Sequence, residues 1–446
     1  MSDNLKAFGM FQSVPGEYEA YQARRAAASQ CPVTGMAAEF KPFDADYLQN
    51  PYLFFDKARA TEPVFYSPEE DYWVVMKYED IIKVFKDPET FSVANARHPV
   101  SPLCPAAAAE RDQLNITIEP SLVDEGSDTH RKHRRIFGNA FTPRRVNQIE
   151  GRVREIVTRF IDAFIEDGSA DLVSQLLFEV PALAIFIFLG AKDEDALFVK
   201  KLGADRAIVN FGRPDEAEQV TMIGGMAEHW EFTKKLVHDA LENPGDNYLG
   251  DMARLYHKDP SLFTVNYLMN VMHVMQFAGH ETTTQASANG IKAMLEDRAK
   301  WEMLCADPSL IPNAVEEILR IDTSIFGWRR ITTQDTKIGD TDIPAGSRIL
   351  LMLGSGNHDE AMFPDPAIFD PTRKNAKKHL GLGHGAHFCM GAPLARLEMR
   401  IILEELTRRL PHMHLVKQDR YEYMPTLIFR GVQRLQVEWD VAQNSA

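Results

Sequence analysis

Apolar residues recur at three- and four-residue spacing through most of this chain, which is the period of an α-helix with one buried face. The period is clear in segments 18–28, 51–60, 78–86, 147–167, 170–189, 195–210, 216–241 and 264–295. Segment 170–189 is apolar on nearly every side, so the helix predicted there is expected to be buried. The pattern predicts a large, mainly α-helical protein.

Short runs between these segments predict a smaller β component. Residues 63–66 and 72–76 flank the turn residues 67–71, which is the pattern of a hairpin. Further strand signals lie at 337–338, 342–343, 347–353, 424–429 and 435–439. The expected fold class is therefore mainly α with small β-sheets.

Periodicity fails between residues 92 and 128, where prolines stand at positions 99, 102, 105 and 120. An irregular stretch of this length inside a compact chain is usually functional or disordered. We expect a loop here, with either a functional role or the role of a tolerated surface insertion.

The composition is that of a globular protein and argues against two classes of partner. The chain has 446 residues, and its 49 basic and 64 acidic residues give a net charge of −15. It carries no basic stripe with interleaved aromatic residues, so nucleic acid is not expected as a partner. The longest apolar run, 180–191, contains Pro181 and is shorter than the ~20 residues that cross a bilayer, so no membrane association is expected.

The first residues lack the charged-then-apolar pattern of a signal peptide. The four cysteines Cys31, Cys104, Cys305 and Cys389 are too widely spaced for a disulfide framework. Both observations predict a cytoplasmic protein.

The most informative segment is the glycine-rich run that leads to Cys389. Gly381, Gly383 and Gly385 alternate ahead of the cysteine, which lets the backbone adopt positive φ and approach a flat ligand. A helix is predicted from Pro393 onward, so Cys389 lies just ahead of a helix N-terminus. The amides and the positive dipole end at that position favour a thiolate over a thiol.

Such a thiolate fits a nucleophile, a zinc ligand, an iron–sulfur ligand or the axial ligand of a haem. Zinc and iron–sulfur sites take several sulfurs at short spacing, and the chain has no Cys-x-x-Cys motif. A single thiolate suits a haem. The alternative interpretation is a buried structural cysteine on a tight turn.

A polar run, residues 278–284, interrupts the apolar helix pattern of segment 264–295. Polar groups inside a buried helix are costly, so they need a partner or a function. The alternative is that the threonines hydrogen-bond to carbonyls one turn earlier and bend the helix.

Two weaker signals are pairs of charged residues on helix faces. His130 and Arg134 are four positions apart and could hold one anionic group, although a solvated basic face is equally compatible with them. Glu317 and Arg320 are three positions apart, a spacing that is common on helices.

Taken together, these segments resemble the motifs of the cytochrome P450 family over roughly residues 40–440. The run 382–391 is similar to the haem-binding loop Phe-Gly-x-Gly-x-(Arg/His)-x-Cys-x-Gly, with Leu382 in place of phenylalanine. Residues 278–283 resemble the pattern (Ala/Gly)-Gly-x-(Asp/Glu)-Thr-Thr. Residues 317–320 and 369–373 match Glu-x-x-Arg and Phe-x-Pro-x-Arg.

The resemblance implies haem b as the cofactor, with the thiolate of Cys389 as its axial ligand. It assigns the haem propionates to His130, Arg134, His387 and one of the neighbours Arg330 and Arg329. The further haem contacts that it implies are Ala278, Gly383, Gly385 and Gly391.

The same resemblance implies catalytic and structural roles. Gly279 would make room for dioxygen, Thr282 would hydrogen-bond the distal oxygen or its water, and Glu281 would relay protons, with His280 as a filler of a variable position. The triad Glu317, Arg320 and Arg373 would fix the loop that leads to Cys389. Segment 92–128 would form part of the pocket roof, residues 212–214 a break in the mobile lid, and Val209, Asn210, Phe211 and the tip of 424–429 candidate substrate contacts.

The function implied is a haem-thiolate monooxygenase that inserts one oxygen atom of O2, or of peroxide, into an apolar small molecule by hydroxylation, dealkylation or epoxidation. Two alternatives stay open: a haem-thiolate isomerase or dehydratase, and a haem-based binding or sensing protein. The acid–alcohol pair Glu281-Thr282 argues against the first alternative.

The electrons must come from elsewhere, because the chain has no flavin, nicotinamide or iron–sulfur motif. Residues 31–36, 429–431 and 437–440 are similar to haem domains of self-sufficient P450s, in which a reductase with FMN and a [2Fe–2S] cluster follows on the same chain. A ferredoxin or flavodoxin is the other expected donor. The predicted organisation is a leader (1–40), a haem domain (41–440) and the start of a tail or linker (441–446).

Overall fold

The computed structural model describes residues 16–30, 33–114, 118–192 and 205–444. Helices form most of this part of the chain, as the sequence pattern predicts. They are α1 (Glu17–Gln30), α2 (Met36–Glu39), α3 (Ala45–Gln49), α4 (Tyr52–Thr61), α5 (Tyr78–Lys86), α6 (Pro105–Gln113), α7 (Ser127–Ala140), α8 (Pro143–Gln148), α9 (Glu150–Phe164), α10 (Glu179–Leu189), α11 (205–211), α12 (Glu216–Glu242), α13 (Tyr248–Lys258), α14 (Val265–Ala278), α15 (Glu281–Glu296), α16 (Arg298–Ala306), α17 (Ile311–Ile321), α18 (Leu353–Gly356), α19 (Ala392–Arg409) and α20 (Val441–Asn444).

Three small sheets complete the fold. The strands are β1 (Val64–Ser67), β2 (Tyr72–Val75), β3 (Phe91–Ser92), β4 (Ser169–Asp171), β5 (Trp328–Thr332), β6 (Thr336–Ile338), β7 (Thr341–Ile343), β8 (Arg348–Leu351), β9 (His414–Leu415) and β10 (Gln436–Glu438). The largest sheet has the order β1-β2-β8-β5-β3, and its only parallel pair is β2 with β8. The other sheets are β4-β10-β9 and the hairpin β6-β7. The predicted hairpin at 63–76 is confirmed with Val64 opposite Val75.

The main hydrophobic core lies among α9, α10, α14, α15, α17 and α19. Helix α10 is buried on nearly all sides, as its uniformly apolar sequence predicts. It ends at Gly190, whose φ of 97° is left-handed and whose missing side chain leaves room for Asn247. The core therefore surrounds a fully buried helix, against which the interrupted helix pair α14–α15 packs.

Two segments fold differently from the prediction. Residues 105–113, expected to be irregular, form helix α6, because Pro105 starts a run of alanines with high helix propensity and the Cys104 sulfur accepts a hydrogen bond from the Ala107 amide at 3.4 Å. Residues 170–171, expected to be helical, belong to strand β4 (Ser169–Asp171), because Gly168 (φ 73°) ends the preceding turn and β10 supplies a pairing partner.

Other predicted elements are reduced or lie outside the described residues. Segment 424–429 makes only isolated bridges, at Thr426 and Phe429, instead of a strand. Residues 1–15, 31–32, 115–117, 193–204 and 445–446 are outside the described part. Most of the predicted helix 195–210 and the start of the similarity at 31–36 lie there. No helix among the described residues is both long and apolar enough to cross a membrane.

The crossing of α15 and α17 generates a stability prediction, because Gly290 lets the two helices approach closely. A Cβ at position 290 would lie 2.4 Å from Cγ1 of the buried Ile318. We expect Gly290→Ala to lower the free energy of unfolding by about 1–3 kcal/mol through overpacking. Gly224→Ala, in α12 with no atom within 4 Å of its Cβ position, should instead raise it by about 0.5–1 kcal/mol. Thermal or urea unfolding checks both values, and a stable Gly290→Ala protein would contradict this account of the crossing.

Candidate functional site

The loop before Cys389 folds back on itself. The Cys389 amide donates to the Leu382 carbonyl at 2.9 Å, and Gly383 and Gly385 adopt left-handed φ values of 71° and 73°. A Cβ on Gly385 would also lie 2.9 Å from the Phe85 carbonyl oxygen. Glycine is therefore required here both by backbone conformation and by close packing, as the spacing predicts.

The Cys389 sulfur lies at the start of α19, where the amides of Gly391 and Ala392 donate hydrogen bonds to it. The guanidinium groups of Arg134 and Arg396 also favour its charged form. Burial nevertheless prevails and raises the pKa of the Cys389 thiol above its usual value. The helix amides thus favour the thiolate, as the sequence predicts, but burial opposes them, and a bound metal cation would add to the stabilisation of the charged sulfur.

Opposite the cysteine loop, the helical backbone is interrupted at the predicted polar run. Helix α14 ends at Ala278, and α15 begins at Glu281. The Thr282 hydroxyl donates to the Ala278 carbonyl at 2.9 Å across the break, as the helix-bending alternative predicts. Both residues line the cavity described below, so the interruption also presents a hydroxyl to that space.

The glycine at this break has a packing role. A Cβ on Gly279 would lie 2.7 Å from Cγ1 of Ile185, so the glycine allows α10 to approach the break. Gly279 and Ile185 both line the cavity. The missing side chain therefore leaves room for a neighbouring helix, and this contact differs from the predicted role of making room for a ligand.

Two polar side chains anchor the break to the segment before α10. His280 is buried and its Nε2 lies 3.0 Å from the Phe178 carbonyl, while the Thr284 hydroxyl donates to the Leu177 carbonyl at 2.9 Å. His280 thus has a packing and hydrogen-bonding contact, while its assignment to the variable position of the motif stays a prediction. Neither partner could be found from sequence, because each lies more than one hundred residues away.

Glu281 is buried beside the break and does not line the cavity. Burial raises the pKa of its carboxyl to about 7, although a hydrogen bond from Gln285 Nε2 to Oε2 at 3.4 Å favours the charged form. Within the described ranges its Oε1 has no hydrogen-bond partner. The carboxyl can therefore change protonation state near neutral pH.

Four basic side chains gather at one edge of the site. The rings of His130 and His387 stack with centroids 3.8 Å apart, and Arg134 Nη2 donates to the Phe388 carbonyl at 2.5 Å. Arg330 Nη1 donates to the Arg329 carbonyl at 2.7 Å. Burial and neighbouring cations lower the pKa of His387 to about 3 and that of His130 to about 4, and burial lowers that of Arg330 to about 9.

This basic cluster, His130, Arg134, Arg330 and His387, forms no ion pair with a carboxylate of the described chain. Its two arginines are cations, which are normally paired when buried, and its two histidines are neutral at pH 7 but can donate hydrogen bonds, so the cluster has the character of an anion-binding site. Three of its members line the cavity; His130 supports the ring of His387 from behind.

The neighbours Arg329 and Arg330 have different surroundings. Arg329 donates to the carbonyls of His98 and Ala96 at 2.5 and 2.8 Å and does not line the cavity. Consecutive residues of strand β5 point to opposite faces, which explains the difference. Arg330 is the one that faces the site.

A cavity of about 270 Å³ separates the cysteine loop from the helix break. Ala278, Gly279, Thr282, Gly383, His387, Cys389 and Gly391 all line it, together with apolar side chains that include Phe141, Val271, Val274, Met275 and Leu394. Several residues predicted to contact haem or substrate do not line this cavity. They are Gly385, Val209, Asn210, Phe211 and the 424–429 segment. Ser121, Leu122 and Val123 do line it, which agrees with a pocket wall in the irregular stretch.

The predicted charged triad is brought together beneath the loop. Glu317 Oε1 and Oε2 accept from Arg320 at 2.7 and 2.8 Å, and Oε1 accepts from Arg373 Nε at 2.9 Å. Arg320 also donates to the carbonyls of Asn357 and Pro366 at 3.0 and 2.7 Å. The triad thus ties α17 to the irregular segment that leads to the cysteine loop.

Sequence reasoning missed two further buried carboxylates. Glu316 pairs with Arg396 and His379, at separations of 80 and 63 residues that no local pattern reveals. Glu398 lines the cavity from α19, and burial raises its pKa well above the usual value because neither carboxylate oxygen has a partner in the described chain. In the same part of the chain, no group of three or more His, Cys, Asp or Glu side chains could hold a metal.

Comparisons with known proteins agree with this geometry. The model of the family "Cytochrome P450" matches residues 305–427. The chain is 32% identical over 402 residues to the cytochrome P450 monooxygenase PikC of Streptomyces venezuelae, covering 88% of this chain and 92% of that protein.

Solved structures give the same result. The P450 heme domain of Tepidiphilus thermophilus superposes with a TM-score of 0.87 at 37% identity, covering 91% of this chain and 98% of that one. An intact type IV self-sufficient cytochrome P450 monooxygenase superposes with a TM-score of 0.90 at 40% identity, covering 93% of this chain and 55% of that one.

The buried position of Glu281 predicts a pH-dependent stability. Folding raises the pKa of the Glu281 carboxyl from 4.5 to about 7. Below pH 4.5 the carboxyl is neutral in the folded and unfolded states, so its burial does not lower the free energy of unfolding. That free energy falls as the pH rises through 7, because a charged carboxyl is then buried in the folded protein. We expect Glu281→Gln to unfold with a free energy similar to wild type at pH 4.5 and up to about 3 kcal/mol higher at pH 8. Urea unfolding across this range measures the difference.

The matched control is Glu296→Gln, at the exposed end of the same helix. It should show no such gain between pH 4.5 and 8. A Glu281→Gln difference that is the same at every pH would contradict the assigned environment.

Proposed function

This chain belongs to the cytochrome P450 family, whose members are haem monooxygenases that hold haem b through an axial cysteine thiolate, and we propose that Cys389 is that ligand here. We further propose that the protein inserts one oxygen atom into apolar small molecules by hydroxylation, dealkylation or epoxidation. The observation that carries the proposal is the cavity between Cys389 and the Thr282 helix break, with unpaired basic groups along one edge.

The residues around the cavity fit haem b. The two propionates are anions, and Arg134, Arg330 and His387 supply donors that have no carboxylate partner within the described chain. The loop glycines and the exposed Ala278 keep both walls free of bulky side chains. Among the described residues, Cys389 is the cysteine that lines the cavity, at the start of α19.

When bound, haem b supplies the iron at which dioxygen is reduced and one of its oxygen atoms is transferred. The chain supplies the protons. The Thr282 hydroxyl lines the cavity and can exchange its hydrogen bond to Ala278 for one to a water or ligand. Glu281 can take up or release a proton near pH 7 at its unpartnered Oε1, behind the cavity wall.

An apolar substrate is supported by the remaining lining. Val271, Val274 and Met275 form the face of α14 toward the cavity, and Phe141 and Ile185 add further apolar surface. Such walls bind hydrocarbon groups by excluding water and offer few hydrogen-bond donors for orientation.

For the electrons we propose a reductase module. The similarity to an intact type IV self-sufficient enzyme, of which this chain spans 55%, supports a module with FMN and a [2Fe–2S] cluster on the same chain. A separate ferredoxin or flavodoxin is the other candidate donor. Hydrogen peroxide is proposed as a substitute for dioxygen plus electrons.

Replacing Cys389 tests the axial ligand. The reduced, carbon monoxide-bound protein should show the strongly red-shifted Soret band of a thiolate complex, and Cys389→His should lose that band. Cys305→Ala, which removes a partly buried thiol near Pro411, should keep it. Absence of the band in wild type, or its persistence in Cys389→His, would overturn the assignment.

Replacing Thr282 tests the proton path. With dioxygen, a chemically reduced redox partner and an alkylbenzene probe, Thr282→Ala should bind haem normally but form at least about tenfold less product per electron pair, releasing peroxide or water instead. Thr284→Ala is the matched control, because that hydroxyl does not line the cavity and, among the described residues, bonds to the carbonyls of Leu177 and His280. Unchanged coupling in Thr282→Ala would show that this hydroxyl does not deliver protons.

A further inference from the structure

The buried carboxylate of Glu316 is the centre of an ion-pair network that lies next to the triad of Glu317, Arg320 and Arg373. Its Oε1 accepts from Arg396 Nε at 2.7 Å, and its Oε2 accepts from Arg396 Nη2 at 2.9 Å and from His379 Nε2 at 3.2 Å. Burial acts to raise the pKa of Glu316, but these hydrogen bonds lower that pKa to about 2. Glu316 is therefore a permanent negative charge, 4% exposed.

The network connects three segments that surround the cysteine ligand. Glu316 belongs to α17, Arg396 to the second turn of α19, and His379 to the chain just before the glycine-rich loop. His379 Nδ1 accepts a hydrogen bond from the Gly381 amide at 3.1 Å, which leaves Nε2 as the donor to Glu316. The Glu316 network thus holds both ends of the loop that presents Cys389.

The network also balances charge. Arg396 and Arg134 are the two guanidinium groups whose fields act on the Cys389 sulfur. Arg134 has no carboxylate partner in the described chain, whereas Arg396 is paired in a bidentate manner with Glu316. Within the described chain, a carboxylate therefore compensates Arg396, whereas Arg134 is left for a propionate of the proposed haem.

We propose that Glu316 is a positioning residue that neutralises Arg396 and thereby keeps the reduction potential of the Cys389-ligated haem low. Reduction adds one negative charge to the haem site, so an uncompensated cation beside the sulfur favours the reduced state. Removing Glu316 should raise the potential, and removing Arg396 should lower it. This inference rests on the proposed ligation by Cys389.

The test is a potentiometric titration of the haem-loaded protein. Glu316→Gln should raise the equilibrium constant for one-electron reduction at least about threefold, which corresponds to about 28 mV at 59 mV per tenfold change. Arg396→Gln should change the constant in the opposite direction, and the double variant Glu316→Gln/Arg396→Gln should return toward wild type. Shifts of opposite sign in the two single variants indicate charge balance, because a loss of packing would shift the reduction potentials of all three variants in the same direction.

Glu405→Gln is the matched control. Like Glu316, Glu405 is a buried carboxylate that accepts hydrogen bonds from arginine, here Arg154 and Arg408, and it lies on α19. Its potential should stay at the wild-type value. If Glu316→Gln does not fold, the sign of the Arg396→Gln shift alone decides the question. Equal potentials in wild type and Arg396→Gln, or a rise in Arg396→Gln, would overturn the inference.

A carbon monoxide spectrum of each variant separates this inference from the proposed function. If wild type lacks the thiolate band, the ligation by Cys389 fails. If wild type and variants all keep the band while the potentials do not move with opposite signs, only the role of Glu316 fails.

Discussion

The pairing of two adjacent carboxylates on helix α17 with arginines and a histidine from distant segments is the constraint on which the site depends. Glu316 and Glu317 are both buried, and each accepts several charge-assisted hydrogen bonds. Loss of one partner from such a buried network typically costs about 3–5 kcal/mol, because a charge is left uncompensated. The two networks together fix the chain on both sides of the glycine-rich loop, so the position of Cys389 follows from them.

The protein alone holds two electrostatically unfavourable features in the lining of the same cavity. The Cys389 thiol has a raised pKa because burial outweighs the helix amides and the nearby cations. The basic cluster lacks anionic partners, and the pKa values of its histidines are lowered. Haem b resolves both, because its iron is a cation for the sulfur and its propionates are anions for the cluster. The site is built for a ligand with opposite charges at its centre and its edge.

The distal wall shows a similar balance between packing and chemistry. The helix break is held by His280 and Thr284, which bond to carbonyls before α10, and Gly279 admits Ile185 of that helix. Thr282 and Thr283 both line the cavity, and the Thr282 hydroxyl donates within the break to the Ala278 carbonyl. Glu281 lies behind the cavity wall. A rigid frame thus surrounds the two groups proposed to handle protons.

Local sequence patterns were enough to predict four features: the mainly α fold class, the glycine-rich loop with its cysteine, the interrupted helix and the charged pairs. Each is encoded in neighbouring residues, through hydrophobic periodicity, the conformational freedom of glycine or the spacing of residues on a helix. The tertiary structure decided that Arg330 faces the cavity while Arg329 holds the 96–98 loop, since a strand sends consecutive side chains to opposite faces. It also brings Glu316 together with Arg396 and His379, forms the strand at 169–171 and raises the pKa of the Cys389 thiol by burial. These features depend on burial and on partners far away in the chain, and neither quantity is present in a local sequence pattern.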